Sequence, residues 1–198
     1  ALVEGEALRT RGVEALLGAK HFVLELGFGR GELLMDLAEA SPARRFLGVE
    51  VSRKRVLKVA RRIARRGLEN CFVLHAPAQY ALERLLPAGC VAECWICCPD
   101  PWPKKRHHKR RLIQPPFVAL LASRLAAGAT LHLATDWEPY AQQMLQVLSV
   151  EPLLQNTAAG FALRPAYRPF TKFESRGTAL GHGTWDLVFR KREAPTEG

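Results

Sequence analysis

Short apolar runs alternate along the chain with stretches in which apolar residues recur every three or four positions, from about residue 21 to residue 192. The segments "HFVLEL", "RFLGVE", "CFVLHA", "VAECWICC" and "ATLHLAT" have the length and the β-branched or aromatic content of buried strands. Between and after them, helical spacing predicts helices over Glu32–Ala40, Ser52–Arg66, Ala78–Leu86, Phe117–Ala126 and Pro139–Leu148, and "GTWDLVFRK" reads as a last strand. This alternation predicts an α/β fold, a mainly parallel sheet with helices on both faces. In such sheets ligands bind beyond the carboxyl ends of the strands. Residues 1–20 read as an N-terminal lead-in, 21–192 as one domain, and 193–198 as a loose tail.

Composition narrows the class. The chain has 198 residues, 48% of them apolar, enough for one domain with a sizeable core. Its longest apolar runs fall well short of the roughly 20 residues of a membrane span. The N-terminus lacks a basic-then-apolar signal layout, and the expectation is a cytoplasmic protein. Net charge is +10 and the isoelectric point about 9.8, which favours a polyanionic partner: nucleic acid first, an anionic membrane surface second. Five cysteines, four of them between Cys90 and Cys98, argue against a disulfide framework. Their spacing invites a zinc site, but "CVAECWICC" also reads as a buried strand whose alternate side chains face opposite ways, and the expectation is no metal.

The candidate chemistry sits where strands end. "LELGFGRGEL" puts Glu25 on a strand and Gly27, Gly29 and Gly31 in the turn to a helix. The spacing is G-x-G-x-G rather than the dinucleotide G-x-G-x-x-G, and it follows an acid. Such an acid repels a pyrophosphate and suits a ligand that carries positive charge, as S-adenosylmethionine does; a plain tight turn is the competing reading. Glu50 closes the second strand about twenty residues on, where an acid can accept hydrogen bonds from ribose hydroxyls or simply stabilise the following helix. "SRKRVLKVARRIARRG" carries apolar residues at helical spacing and cations elsewhere, the pattern of a core-packed helix with a solvated cationic face.

The most concentrated signal is "CCPDPWPKKRHHKRRL". Asp100 follows a strand, held between Pro99 and Pro101, and Trp102 adds a flat surface. Lys104, Lys105, Arg106, His107, His108, Lys109, Arg110 and Arg111 then read as a phosphate-binding rim, with one base over the carboxylate.

Together "ELGFGRGELL", "PDPWPKKRHHKRR", "TDWEPYAQQM" and "TKFESRGTALGHGTWDLVF" resemble the bacterial tRNA (guanine-N7-)-methyltransferase family over nearly the whole chain. The resemblance implies a Rossmann-like class I methyltransferase fold with a seven-stranded sheet. It implies S-adenosylmethionine as cofactor, tRNA as partner and methylation of guanine N7, with Glu25 and Glu50 binding the cofactor and Asp100 catalytic and cofactor-adjacent. Lys104, Asp136, Thr171, Lys172, Phe173 and Glu174 match substrate-binding positions, and Arg106 through Arg111 the RNA-contacting segment. One departure is Pro77, which stands where the family has an acid that meets the cofactor's adenine. Two other readings are an RNA-binding module with an impaired cofactor site and an amino-group nucleic-acid methyltransferase. The oligomeric state stays open.

Overall fold

The computed structural model describes residues 1–166, 168 and 183–193. Five strands form where the apolar runs predict them: β2 (Phe22–Leu26), β3 (Phe46–Glu50), β4 (Cys71–His75), β5 (Val91–Cys97) and β6 (Leu125–Thr135). They are joined by a short strand β1 (Leu2–Val3), by β7 (Leu154–Asn156) and by β8 (Trp185–Lys191). The order across the sheet is β1-β4-β3-β2-β5-β6-β8-β7. All pairs are parallel except those of β8 with β6 and with β7. Among the described residues the sheet has eight strands, not seven. The additional one is β1, which pairs with Val73 and Leu74 and draws residues 1–20, read as a lead-in, into the sheet. Two residues of extended chain leave no periodic trace in a sequence.

Alternation along the central strands feeds two cores. Leu24 and Leu26 of β2, Leu47 and Val49 of β3, and Cys94 and Ile96 of β5 enter one. Val23, Phe46, Val73 and Trp95 enter the other. The second core is closed by α3 (Glu32–Ala40) and α4 (Arg53–Arg65), which bury Leu33, Leu34, Met35 and Ala38, and Val56, Val59 and Ile63. The first packs against α1 (Gly5–Arg11), α2 (Val13–Leu17), the Ala78–Leu85 helix, α6 (Pro115–Arg124) and α7 (Glu138–Ser149). That fifth helix (α5) begins as α-helix at Ala78–Tyr80 and widens to a π-helical turn over Ala81–Leu85. Among the described residues no helix is long and apolar enough to cross a membrane.

The cysteines follow the alternation. Cys90 and Cys94 lie in the first core and Cys97 packs against the second, so the spacing that invites a metal does not converge. Burial pushes the Cys90 thiol up to about 11 and the Cys71 thiol up to about 12.

The glycine turn joins β2 to α3 under tight constraint. Gly31 has φ +69°, and a Cβ there would lie 2.6 Å from Val59 Cγ1 on α4. Gly31→Ala is therefore expected to cost roughly 1–3 kcal/mol of stability, from left-handed strain and overpacking together. A denaturation midpoint equal to that of the native chain would contradict this packing.

Candidate active site

Three acids converge at the carboxyl edge of the sheet. Glu25 is the fourth residue of β2, in register with Gly48 and Trp95 of the flanking strands. It faces the second core beneath the first turn of α3 and is buried. Burial pushes its carboxyl up to about 8; the backbone N–H of Leu34 opposes the rise and the charge of Glu50 adds to it. Among the described residues its Oε2 has no hydrogen-bond partner. A buried carboxyl oxygen left without a donor costs about 1–3 kcal/mol, so the arrangement asks for a cationic or donor ligand.

Glu50, also buried, ends β3. Its Oε2 accepts from the N–H of Gly29 at 3.1 Å and its Oε1 from that of Ser52 at 2.9 Å. It thus ties the glycine turn to the start of α4, and each oxygen keeps a lone pair for a further donor. Arg55 Nη1 stands 3.6 Å from Oε2. Helical periodicity alone puts Arg55 on a solvated face; its place in the first turn of α4, just after the strand-end acid, is the signal that it lines the clefts.

Asp100 completes the set and is exposed. It lies on a strained loop: Cys98 (φ +51°) and Trp102 (φ +43°) flank the Pro-Asp-Pro segment. Left-handed backbone at a non-glycine residue costs on the order of 1–3 kcal/mol and persists where surroundings enforce it. Here the Cys98 N–H donates to the Ala134 carbonyl at 2.8 Å, and Arg111 Nε holds the other side through the Pro101 carbonyl.

Two adjoining clefts bring these groups together. One, of about 310 Å³, is lined by Glu25, Gly27, Gly29, Arg55 and Asp100. The other, of about 400 Å³, is lined by Glu50, Val51, Pro77, Ala78, Asp100 and Trp102. Gly27 and Asp100 border both. Gly27 has φ +75°, and a Cβ on it would meet nothing within 4 Å, so its bare face opens onto the cleft. Gly31 sits behind, against α4. Acid at one end, apolar Val51, Pro77 and Ala78 at the other, and a turn without side chains between them fit the cation, ribose and purine of S-adenosylmethionine.

The basic run divides. Lys105–Arg110 forms a 3₁₀ segment in which Lys105, Arg106, Lys109 and Arg110 are exposed, as is Lys104 before it. Arg110 lies over the Trp102 ring at 5.0 Å and also lines the second cleft. His107 meets Trp102 edge-on at 5.8 Å. His108 turns inward to Arg111, with Nε2 3.1 Å from Nη2. Arg111, expected on the rim, is buried. Its Nε donates to the Pro101 carbonyl at 2.8 Å and its Nη1 to Gln143 Oε1 at 2.6 Å, and its guanidinium covers the Tyr140 ring at 4.8 Å. Burial lowers its pKa. Arg111 is thus a clamp between the Asp100 loop and α7, and no exposed cation. Asp136 follows β6 at the same sheet edge and is exposed, outside both clefts. Thr171, Lys172, Phe173 and Glu174 lie outside the described residues.

Residues 19–187 match the family model described as "Putative methyltransferase". The chain is 57% identical over 170 residues to the tRNA (guanine-N(7)-)-methyltransferase of Verminephrobacter eiseniae, covering 86% of this chain and 62% of that protein. It is 54% identical over 172 residues to the protein of the same name from Ralstonia nicotianae, covering 87% and 68%. The chain thus spans about two-thirds of the length of these relatives. Among solved structures, the 16S rRNA methyltransferase KamB superposes with a TM-score of 0.68 at 19% identity, over 92% of this chain and 94% of that one. The antibiotic-resistance methyltransferase Kmr gives 0.64 at 18%, over 93% and 94%. These likenesses show the class I methyltransferase fold.

The buried acid gives a pH signature. Folded Glu25 keeps its proton to about pH 8, whereas an ordinary carboxyl releases it near 4.5. The folded chain then binds more protons than the unfolded one in that window, and stability falls as pH rises through it. Glu25→Gln is expected to flatten this decline in ligand-free protein. Parallel denaturation curves for the two chains between pH 5 and 8.5, a range set by about the same limits, would contradict it.

Proposed function

The chain belongs to the tRNA (guanine-N(7)-)-methyltransferase family, and we propose that it methylates N7 of a guanine in tRNA with S-adenosylmethionine as donor. The observation that carries this reading is the pair of adjoining clefts, one lined by Glu25 and the other by Glu50, that share Asp100 beside a row of exposed cations. S-adenosylmethionine supplies a methyl already activated on a sulfonium.

The chain's own residues do the rest. Glu25 Oε2 takes the ammonium of the donor, and with that charge beside it the carboxyl gives up its proton. Glu50 accepts from the ribose hydroxyls while it keeps the glycine turn in place. Val51 and Pro77 would give the adenine an apolar wall, and Ala78 offers an N–H that the first turn of its helix does not use. Pro77 thus replaces a side-chain acceptor with an apolar wall.

Guanine N7 has a free lone pair and carries no proton, so no general base is needed. Catalysis rests on alignment, which contributes roughly 7–11 kcal/mol in well-oriented reactions, and on charge placed for the transition state. Positive charge arrives on the purine as the methyl transfers. Asp100, at the border of the two clefts, is the carboxylate positioned to stabilise it. The family resemblance assigns Lys104, Asp136, Thr171, Lys172, Phe173 and Glu174 to the guanine and its nucleotide. Lys105, Arg106, Lys109 and Arg110 grip the phosphates, and His107 supports Trp102. An RNA-binding module without catalysis is not favoured, because the two adjoining clefts between them retain all three acids. An amino-group methyltransferase is not favoured either, given the name that the relatives share.

Incubation of the chain with unmodified tRNA and labelled donor, followed by nucleoside analysis, is expected to yield 7-methylguanosine; label on another nucleoside or none overturns the reading. In the same assay Asp100→Asn is expected to lower kcat about 10²–10³-fold with tRNA affinity nearly unchanged, and near-normal turnover would remove Asp100 from the chemistry.

A further inference from the structure

The cationic helix α4 does more than face solvent. A groove of about 530 Å³ runs between it and the glycine turn, walled by Arg30, Lys54, Arg55, Lys58 and Arg62. Among the described residues no carboxylate lines it. It shares Gly29, Arg30 and Arg55 with the cofactor cleft, so the two open side by side. Arg62 Nη1 donates to the Arg30 carbonyl at 2.6 Å and fastens the turn to the helix, which fixes the groove floor.

The charge on α4 is unevenly compensated. At its far end Arg66 pairs with Asp36 at 2.8 Å and with Glu39 at 3.3 Å. At the end beside the cleft, Arg55 has the buried Glu50 as its neighbour at 3.6 Å. Lys54 and Lys58, exposed and one turn apart, have no carboxylate within ion-pair distance among the described residues. Like charges at this spacing repel, and cations in a first helical turn oppose the helix dipole. Both cost the fold a few tenths of a kcal/mol or more, and an anion lying in the groove reverses the sign of both.

We propose that this groove binds the phosphodiester backbone of the RNA substrate, as a second anchor across the cofactor cleft from the Lys104–Arg110 rim. The inference rests on the tRNA reading above and adds to it a surface that the rim does not include. Two anchors on opposite sides of the donor fix the strand at two points and hold the target base over the cleft between them. Polyanion chemistry selects RNA here over an anionic membrane, because the groove offers no apolar face to enter a bilayer: five cations, of which Arg30 pairs with Glu32 at 3.1 Å, line it with Gly29, Ser52 and Val59.

The test compares K54E/K58E with R9E/R11E, an equal charge change on exposed residues of α1, which packs on the other core. Measured are tRNA affinity against salt, donor affinity by calorimetry, and kcat and KM for tRNA. For K54E/K58E tRNA binding is expected to weaken about tenfold or more, with the log–log salt slope reduced by about 0.7–0.9 for each lost phosphate contact. KM for tRNA should rise, with kcat at saturating tRNA and donor affinity unchanged, and R9E/R11E should have a much smaller effect. Equal losses in the two variants overturn the groove and leave only net charge. Unchanged tRNA binding in K54E/K58E, with loss of binding to phosphatidylserine vesicles instead, also overturns it. If the native chain binds donor yet neither binds nor methylates tRNA, the parent reading falls and the groove with it; native activity with an unaffected K54E/K58E sinks the groove alone.

Discussion

Glu25 lies beneath the first turn of α3 with one carboxyl oxygen that no described residue reaches. The sheet register fixes it there, because Val23 and Glu25 point into the same core and the flanking positions are Gly48 and Trp95. The small neighbour matters: a Cβ on Gly48 would fall 2.5 Å from Leu34 Cδ2 and 2.6 Å from Phe28 Cδ1, so α3 and the turn can close over Glu25 only while this position stays bare. Glu50 then braces the turn through Gly29, and the glycines leave the cleft floor without side chains. Packing of ordinary residues thus holds an acid in a place where it is costly without a positively charged ligand.

The rest of the molecule separates charge around that point. Acids occupy the cleft, and cations occupy the 3₁₀ segment on one side and α4 on the other. Bringing a carboxylate to the rim of a cationic surface requires a rigid loop, since a flexible one would collapse onto the nearest arginine. Proline on either side of Asp100, left-handed backbone at Cys98 and Trp102, and the Arg111 clamp to Pro101 and Gln143 supply that rigidity.

Much of this was legible in the sequence for a simple reason. Parallel strands buried on both faces leave continuous apolar runs, and in such folds ligand-binding residues cluster at the carboxyl ends, which singled out Glu25, Glu50 and Asp100. What stayed hidden has equally physical causes. β1 is too short to carry a period. Arg111 looks like its seven basic or histidine neighbours, and only the packing of α7 beside the loop distinguishes the one that turns inward. Lys54 and Lys58 fit an amphipathic helix equally well whether their face meets water or a groove, because helical periodicity reports what is buried and says nothing about what the polar side faces. The far end of α5 reads as α-helix in composition yet takes a wider turn, with the Leu86 N–H donating to Ala81 five residues back.

Proton release on donor binding tests most directly whether the buried acid exists to meet a cation. Calorimetry of S-adenosylmethionine binding at pH 7, in two buffers of different ionisation enthalpy, should show about one proton expelled per donor bound, and the release should vanish in Glu25→Gln. Binding with the same heat in both buffers would mean that Glu25 does not change its charge on meeting the donor, and would contradict the electrostatic basis of the site.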